Sequence, residues 1–104
     1  MNQICVLRLS ALGDCCHALS VVQHLRDEFP HSKVVWIIGK TEYQLFKGIN
    51  EVEFVVIDKS KLLRSLWNCF IRLRKFRFDV LLNLHASATA NLISLSVRAK
   101  RKIG

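Results

Sequence analysis

The sequence predicts an α/β fold, a Rossmann-like parallel sheet with flanking helices. Short runs that are apolar throughout are separated by longer stretches in which apolar residues recur every three or four positions. Strands without a polar face are typical of parallel sheets, because the crossover helices bury both faces of the sheet. The 104 residues, 51% of them hydrophobic and 23% charged, are enough for one small domain.

The first strand is predicted over residues 4–9, a partly β-branched apolar run that ends in a short loop at residues 10–14. From Cys15 onward apolar residues recur at helical spacing until Pro30 stops the pattern. These residues are Ala18, Leu19, Val22, Leu25 and Phe29. Strand, tight loop and helix therefore form the first unit of the fold.

Two further strands are predicted at residues 33–38, closed by Gly39, and at residues 53–57. Thr41 is placed to cap a short helix over residues 42–46. Ser60 then precedes a long amphipathic helix whose apolar stripe we expect to face the core, as we expect of Trp36. The stripe consists of Leu63, Leu66, Trp67, Phe70, Ile71 and Leu73.

A fourth strand is predicted at residues 79–84, a helix of small residues at 86–97, and the start of a fifth strand at 100–103. A domain rarely ends on an unfinished unit of strand and helix. We therefore expect either that the last strand is an edge strand or that the sequence is the front part of a longer protein.

Membrane insertion and export are not indicated by the sequence. The longest apolar runs have four or five residues, against the roughly 20 that span a bilayer, and no basic residue precedes the first of them. We therefore expect a cytoplasmic protein in which the four cysteines remain free thiols. Neither cysteines nor histidines follow a metal-ligand spacing, so no metal is expected.

The net charge of +8 comes entirely from the second half of the chain. Residues 1–58 contain five Lys or Arg against seven acids, whereas residues 59–104 contain eleven against Asp79. Such an asymmetry indicates an anionic partner, which would be nucleic acid, an acidic membrane surface or a phosphorylated ligand. A solvated helix face followed by a basic chain end would explain the same asymmetry without a partner.

Ligands of open parallel sheets bind beyond the carboxyl ends of the strands, which here are followed by residues 10–14, 39–41, 58–61 and 85–89. The first loop contains a single glycine and matches neither the dinucleotide nor the phosphate-loop pattern, so no nucleotide cofactor is expected. It does contain Asp14. This carboxylate is either a helix cap or a general base that faces the ligand crevice.

Two stretches resemble glycosyltransferase family 9, the ADP-heptose:lipopolysaccharide heptosyltransferases. The first contains the pattern R-x-S-A-L-G-D-x-x-H-A, from Arg8 to Ala18, and the second runs from Arg77 to the R-K-I-G that ends at Gly104. The resemblance covers the whole chain and is strongest toward heptosyltransferase I, which adds the first heptose to Kdo on lipid A. The sequence departs from the family at residues 83–85, where Asn-Leu-His replaces Asp-Leu-Gln.

The resemblance implies the amino-terminal half of a GT-B glycosyltransferase, an enzyme of two Rossmann-like domains. Residues 1–104 would form an incomplete acceptor-side domain, without the carboxyl-terminal domain that binds the donor. The implied reaction is an inverting transfer of heptose from ADP-heptose to the Kdo–lipid A inner core, at the anionic inner face of the inner membrane. It implies no cofactor and no nucleic acid.

The resemblance also implies roles for the first loop. Asp14 matches the family's catalytic base, which takes the proton of the acceptor hydroxyl. Arg8, Ser10 and Gly13 are candidate acceptor contacts. Arg8 would bind an acceptor carboxylate or phosphate as a two-pronged donor, or would be an exposed arginine at a strand end.

Basic residues at the start of the third long helix are further candidates for binding the phosphorylated acceptor, because a helix amino terminus favours anions. They are Lys59, Lys61 and Arg64. The basic residues at the far end of this helix, at positions 72–77, fit the helix dipole or an anionic membrane surface instead.

Two alternatives to an enzyme remain open at this point. The chain would be a stand-alone basic Rossmann-like module that binds an anion such as nucleic acid, or an inactive truncated remnant. In the enzyme interpretation, too, the 104 residues by themselves are expected to be inactive.

Overall fold

The computed structural model describes residues 3–9, 12–49, 51–84, 93–95 and 97–103. Its strands are β1 (Gln3–Leu7), β2 (Lys33–Gly39), β3 (Val52–Ile57), β4 (Phe78–Asn83) and β5 (Ala99–Ile103). Its helices are α1 (Leu12–Glu28), α2 (Lys40–Phe46) and α3 (Leu62–Leu73), and one 3₁₀ turn (Lys59–Lys61) precedes α3. All five predicted strands are present, with bounds that agree to within two residues.

The five strands form one parallel sheet in the order β3-β2-β1-β4-β5. From the central β1 the chain first adds β2 and β3 on one side and then crosses to add β4 and β5 on the other. At the carboxyl end of β1, Leu7 lies between Ile37 of β2 and Asn83 of β4. The direction of winding therefore reverses between β1 and β4, where open α/β sheets form their ligand crevice.

Helices cover both faces of the sheet, as the uniformly apolar strands predicted. One face packs Leu7 and Ile37 against Cys69 and Leu73 of α3. The other packs Val6, Val34, Trp36 and Ile38 against α1 and α2. Successive residues of β1 and β2 thus lie in opposite cores, and both sets are buried. This arrangement confirms the Rossmann-like fold.

Two helices begin earlier than the sequence indicated. α1 starts at Leu12 rather than Cys15, which places Asp14 inside its first turn. α2 starts at Lys40, directly after β2, and its N-cap is Gly39 without a side-chain hydrogen bond. The prediction that Thr41 caps α2 is therefore wrong. The helix begins directly after the strand, so Thr41 is already its second residue and cannot occupy the N-cap position.

The predicted orientation of α3 is wrong in part. Its buried residues are Ser65, Cys69 and Leu73, and Leu62 and Leu66 pack partly against the same core. The Ser65 hydroxyl accepts the N–H of Asp58 at 2.9 Å and donates to the carbonyl of Asp58 at 3.3 Å. These bonds attach the Ser65 side of the helix to the end of β3. The large side chains Leu63, Trp67, Phe70 and Ile71 are exposed instead.

Trp36 is fully buried, as predicted. Most of the helix predicted over residues 86–97 lies outside the described residues, and within it residues 93–95 are helical with Ile93 buried. No helix in the described part of the chain combines the length and hydrophobicity needed to cross a membrane.

Candidate active site

The residues that follow β1 are held by the backbone of β2. The N–H of Arg8 donates to the carbonyl of Ile37 at 3.1 Å, and the N–H of Gly39 donates to the carbonyl of Leu9 at 2.9 Å. The indole Nε1–H of Trp36 donates to the carbonyl of Arg8 at 3.2 Å. This strand end is therefore a rigid support for any side chain that it carries.

The side chain of Arg8 crosses the point where the sheet reverses its winding. Its Nη2 lies 2.5 Å from Oδ2 of Asp14 in the first turn of α1. Its Nη1 donates to the carbonyl of Leu84, just after β4. Only 18% of the Arg8 side chain is exposed, whereas Asp14 is 63% exposed. Arg8 therefore links β1, α1 and the end of β4, and presents Asp14 to solvent.

The structure corrects one of the two interpretations of Arg8 that the sequence suggested, and the other, a contact to the acceptor, stays a prediction. The guanidinium is not an exposed strand-end group, since most of it is buried, and it is engaged with Asp14 and Leu84. Parallel strands bring the ends of β1 and β4 side by side, so a carbonyl distant in sequence becomes a partner of Arg8. The Leu84 carbonyl cannot be predicted as a partner from the sequence, because every residue has a backbone carbonyl.

Asp14 is the third residue of α1 and does not occupy the position of an N-cap. A carboxylate in the first turn is still favoured by the helix dipole. Gly13 lies beside it, exposed, and a Cβ at that position would meet no atom within 4 Å. The structure thus groups Arg8, Gly13 and Asp14, while Ser10 and residues 85–89 lie outside the described residues.

The basic residues expected to bind the acceptor lie elsewhere along the same edge. Lys61 ends the 3₁₀ turn after β3 and Arg64 lies in the first turn of α3, both exposed. Of Lys59 the structure describes the backbone only. Because β2 separates β3 from β1, this group is about 10 Å, two strand spacings, from the Arg8–Asp14 pair. One extended ligand would have to reach both.

A cleft of about 300 Å³ lies between these two groups, at the carboxyl ends of β2 and β3. Oδ1 of Asp58 accepts the N–H and the hydroxyl of Ser60 at 3.0 and 2.7 Å, and Lys40 Nζ lies 3.6 Å from Oδ2. The hydrogen bonds from Ser60, with Lys40 nearby, hold the pKa of Asp58 below its usual range. The cleft is lined by Gly39, Lys40, Thr41, Glu42, Ile57, Asp58 and Ser60.

The segments around this cleft can be recognised from the sequence, but the residues that shape it cannot. The Asp58-x-Ser60 pattern is the signal of a turn closed by an aspartate side chain. Gly39 marks a close backbone contact, because a Cβ there would lie 2.6 Å from the carbonyl oxygen of Leu9. In the described residues, no three His, Cys, Asp or Glu side chains lie close enough together to hold a metal ion.

A search of family models finds none that matches the chain. A search of curated proteins finds the lipopolysaccharide core heptosyltransferase OpsX of Haemophilus influenzae, which is 41% identical over 103 residues. The alignment covers 99% of this chain and 30% of the relative. The chain therefore spans about a third of the length of the curated protein that it matches.

Two solved structures share the fold. A family 9 glycosyl transferase from Veillonella parvula superposes with a TM-score of 0.81 at 23% identity, over 97% of this chain and 31% of that one. The heptosyltransferase WaaC of E. coli, solved with ADP, superposes with a TM-score of 0.79 at 15% identity, over 95% of this chain and 33% of that one. Together with the OpsX match, these similarities confirm the resemblance of the chain, over nearly its whole length, to heptosyltransferases of glycosyltransferase family 9.

Proposed function

We propose that residues 1–104 form the acceptor-side domain of a heptosyltransferase that transfers heptose from ADP-heptose to the Kdo–lipid A inner core with inversion. The observation that carries the proposal is Asp14, an exposed carboxylate held by Arg8 at the point where the sheet reverses its winding. The identity to a lipopolysaccharide core heptosyltransferase supports the choice of heptose and of this acceptor class.

In the proposed reaction, a hydroxyl of Kdo attacks the anomeric carbon of the heptose. A carbon–oxygen bond forms to the acceptor, the bond to the diphosphate oxygen breaks, and ADP leaves with the bonding electrons. The hydroxyl proton passes to the carboxylate of Asp14. A hydroxyl is a weak nucleophile at neutral pH, so such a base contributes about 10²–10⁴-fold to the rate.

Arg8 serves this base as a positioning residue. Its Nη2 faces Oδ2 of Asp14, and its Nη1 is tied to the carbonyl of Leu84. Rotation of the carboxylate away from the crevice would break a charged hydrogen bond, which is stronger than one between neutral groups. Arg8 therefore keeps the base oriented before the acceptor arrives.

The remaining candidates complete the acceptor site in this proposal. Gly13 borders the base, Ser10 is a further candidate contact from the segment between β1 and α1, and the phosphorylated part of the acceptor extends along the carboxyl edge of the sheet toward β3. There its anionic groups meet Lys59, Lys61 and Arg64. The donor ADP-heptose binds to a second domain, and transfer takes place at the cytoplasmic face of the inner membrane.

A chimaera tests the role of Asp14. Residues 1–104 replace the matching segment of the H. influenzae relative, and transfer from ADP-heptose to Kdo–lipid A is measured. Asp14→Asn should lower kcat by about 10²-fold or more and leave the protein folded, since an amide fills the same volume and its oxygen can still accept a hydrogen bond from Arg8. Asp27→Asn is the matched control, because Asp27 is an exposed carboxylate near the other end of α1. Near-normal turnover of Asp14→Asn would exclude Asp14 as the base.

A further inference from the structure

The outer face of α3 is formed by Leu63, Trp67, Phe70 and Ile71. These side chains are 84%, 64%, 42% and 40% exposed, and the rings of Trp67 and Phe70 stack with centroids 6.1 Å apart. Single exposed apolar residues are ordinary, but a contiguous patch of large ones marks an interaction surface. On the helix this face lies about 145° from the stripe of Ser65, Cys69 and Leu73 that packs on the sheet.

The chain around the outer face is strongly basic. Residues 59–78 contain seven Lys or Arg and no acid. Arg64 lies next to Ile71 when the helix is viewed along its axis, and Arg74 is the residue directly after the last turn. Both therefore border the outer face. Arg72 differs, because it points toward the sheet and pairs with Glu53 at 3.3 Å. The apolar surface is thus flanked by cations at its side and at its end.

We propose that the outer face of α3 docks on an anionic lipid surface, with the helix lying in the plane of the interface. Aromatic and leucine side chains beside arginines are the composition of helices that lie at the boundary between headgroups and acyl chains. Trp67 would lie at the level of the headgroups, and Arg64 and Arg74 would contact lipid phosphates.

Charge favours lipid over a second copy of the chain. Two copies joined through this face would bring two basic helices together, each in a protein of net charge +8, and like charges at an interface oppose association. An anionic bilayer attracts the same helix. The inference rests on the proposed function in one respect, because Kdo–lipid A is itself an amphiphile at such a surface.

The position of α3 suits this role. The helix begins at the carboxyl edge of the sheet, where Asp14 and the basic residues after β3 lie, and it covers the face opposite to α1 and α2. A bilayer under the outer face would therefore lie along one side of the candidate site. The headgroup of an acceptor anchored in that bilayer could reach the edge of the sheet without leaving the membrane.

Vesicle flotation of the 104-residue chain tests the proposal. The chain should float with vesicles of phosphatidylglycerol and phosphatidylethanolamine and remain unbound to vesicles of phosphatidylcholine. Trp36 is fully buried and Trp67 exposed, so a blue shift of tryptophan emission on binding would report Trp67. In Trp67→Phe the shift should disappear while flotation persists, because phenylalanine keeps the surface apolar.

Two variants with matched controls locate the contact. Leu63→Ser with Phe70→Ser should weaken binding to anionic vesicles by about tenfold or more. Leu45→Ser should not, since Leu45 is also an exposed large apolar residue but lies on α2 at the opposite face. Arg64→Ser with Arg74→Ser should weaken binding more at low salt than at high salt. Lys47→Ser, which removes an exposed cation from the end of α2, should have little effect.

Several outcomes would overturn the proposal: no flotation with anionic vesicles, equal flotation with both vesicle types, or equal losses in Leu45→Ser and in the Leu63 and Phe70 variant. Self-association of the chain through the outer face, seen in sedimentation without lipid, would also overturn it. Transfer by the chimaera to a short, lipid-free Kdo acceptor distinguishes a loss of lipid docking from a loss of catalysis. There Asp14→Asn should lose transfer, and the Leu63 and Phe70 variant should retain it.

Discussion

Arginine at the end of a buried strand is the residue on which the candidate site depends. Its backbone continues the pairing of β1 with β2, while its side chain reaches Asp14 on one element and Leu84 on another. A lysine has a single ammonium in place of this planar fork and would be less well suited to orient both partners. The need for arginine at position 8 therefore follows from the contacts that it makes between elements. The need for aspartate at position 14 follows from its proposed role as a base.

Cysteines show how residue environment decides reactivity. All four are free thiols, with Cys5, Cys15 and Cys69 buried and Cys16 exposed. Burial disfavours the thiolate and raises the pKa of Cys15 and of Cys69 to about 11, and it raises the pKa of Cys5 as well. Since the thiolate is the nucleophile, these three thiols should be inert near neutral pH.

We expect thiol labelling of the native chain at pH 7 to modify Cys16 rapidly and the other three slowly. Raising the pH to 9 should leave Cys15 and Cys69 slow, because their raised pKa values keep them protonated there. Mass spectrometry after timed alkylation measures the modified positions. Cys16→Ser should remove the rapid reaction. Rapid labelling of Cys5 in that variant would show that the core around β1 is open.

At the scale of elements, small residues decide how α3 and β2 are placed. α3 presents Ser65 and Cys69 to the sheet, which lets the helix approach closely, and its bulkier face stays outside. At the end of β2, Gly39 allows the backbone to pass beside Leu9, where a Cβ would lie 2.6 Å from the carbonyl oxygen. The same Cβ would also lie 2.6 Å from Oε1 of Glu42, but that flexible side chain can move away.

Gly39→Ala should lower the free energy of unfolding by about 1–3 kcal/mol, the usual cost of forcing extra atoms into a packed site. The carbonyl that the new Cβ would meet belongs to backbone held by the hydrogen bond of Gly39 itself. Gly48→Ala is the control, because a Cβ there would meet no atom within 4 Å. Urea unfolding of both variants measures the difference. Equal stabilities would show that the end of β2 shifts freely.

At the scale of the whole molecule, the order of the strands determines what the site can do. Placing β1 at the centre brings Asp14 beside β4 and leaves the basic residues after β3 at an outer position of the same edge. The chain also spans about a third of its curated relative, and a sugar transfer needs both substrates aligned.

We therefore expect a polypeptide of these 104 residues to transfer no heptose from ADP-heptose. Alignment of two bound substrates can supply roughly 7–11 kcal/mol of a barrier, and in the proposed enzyme the donor is held by a second domain. The measurement is product formation by the purified chain with both substrates, with the chimaera as the positive control. Transfer by the chain alone would contradict the assignment of the donor to another domain.

The sequence by itself determined the parallel sheet and Asp14 as the candidate base. Apolar strands and helical spacing depend on neighbours along the chain, and the signature around Asp14 is contiguous. Tertiary structure decided the partners of Arg8, the role of Gly39 and the rotation of α3. Leu84 is 76 positions from Arg8, and α3 has two apolar faces that compete for one sheet. Local periodicity cannot rank those faces, because the packing of Cys69 and Leu73 and the bonds of Ser65 to Asp58 exist only once the sheet has formed.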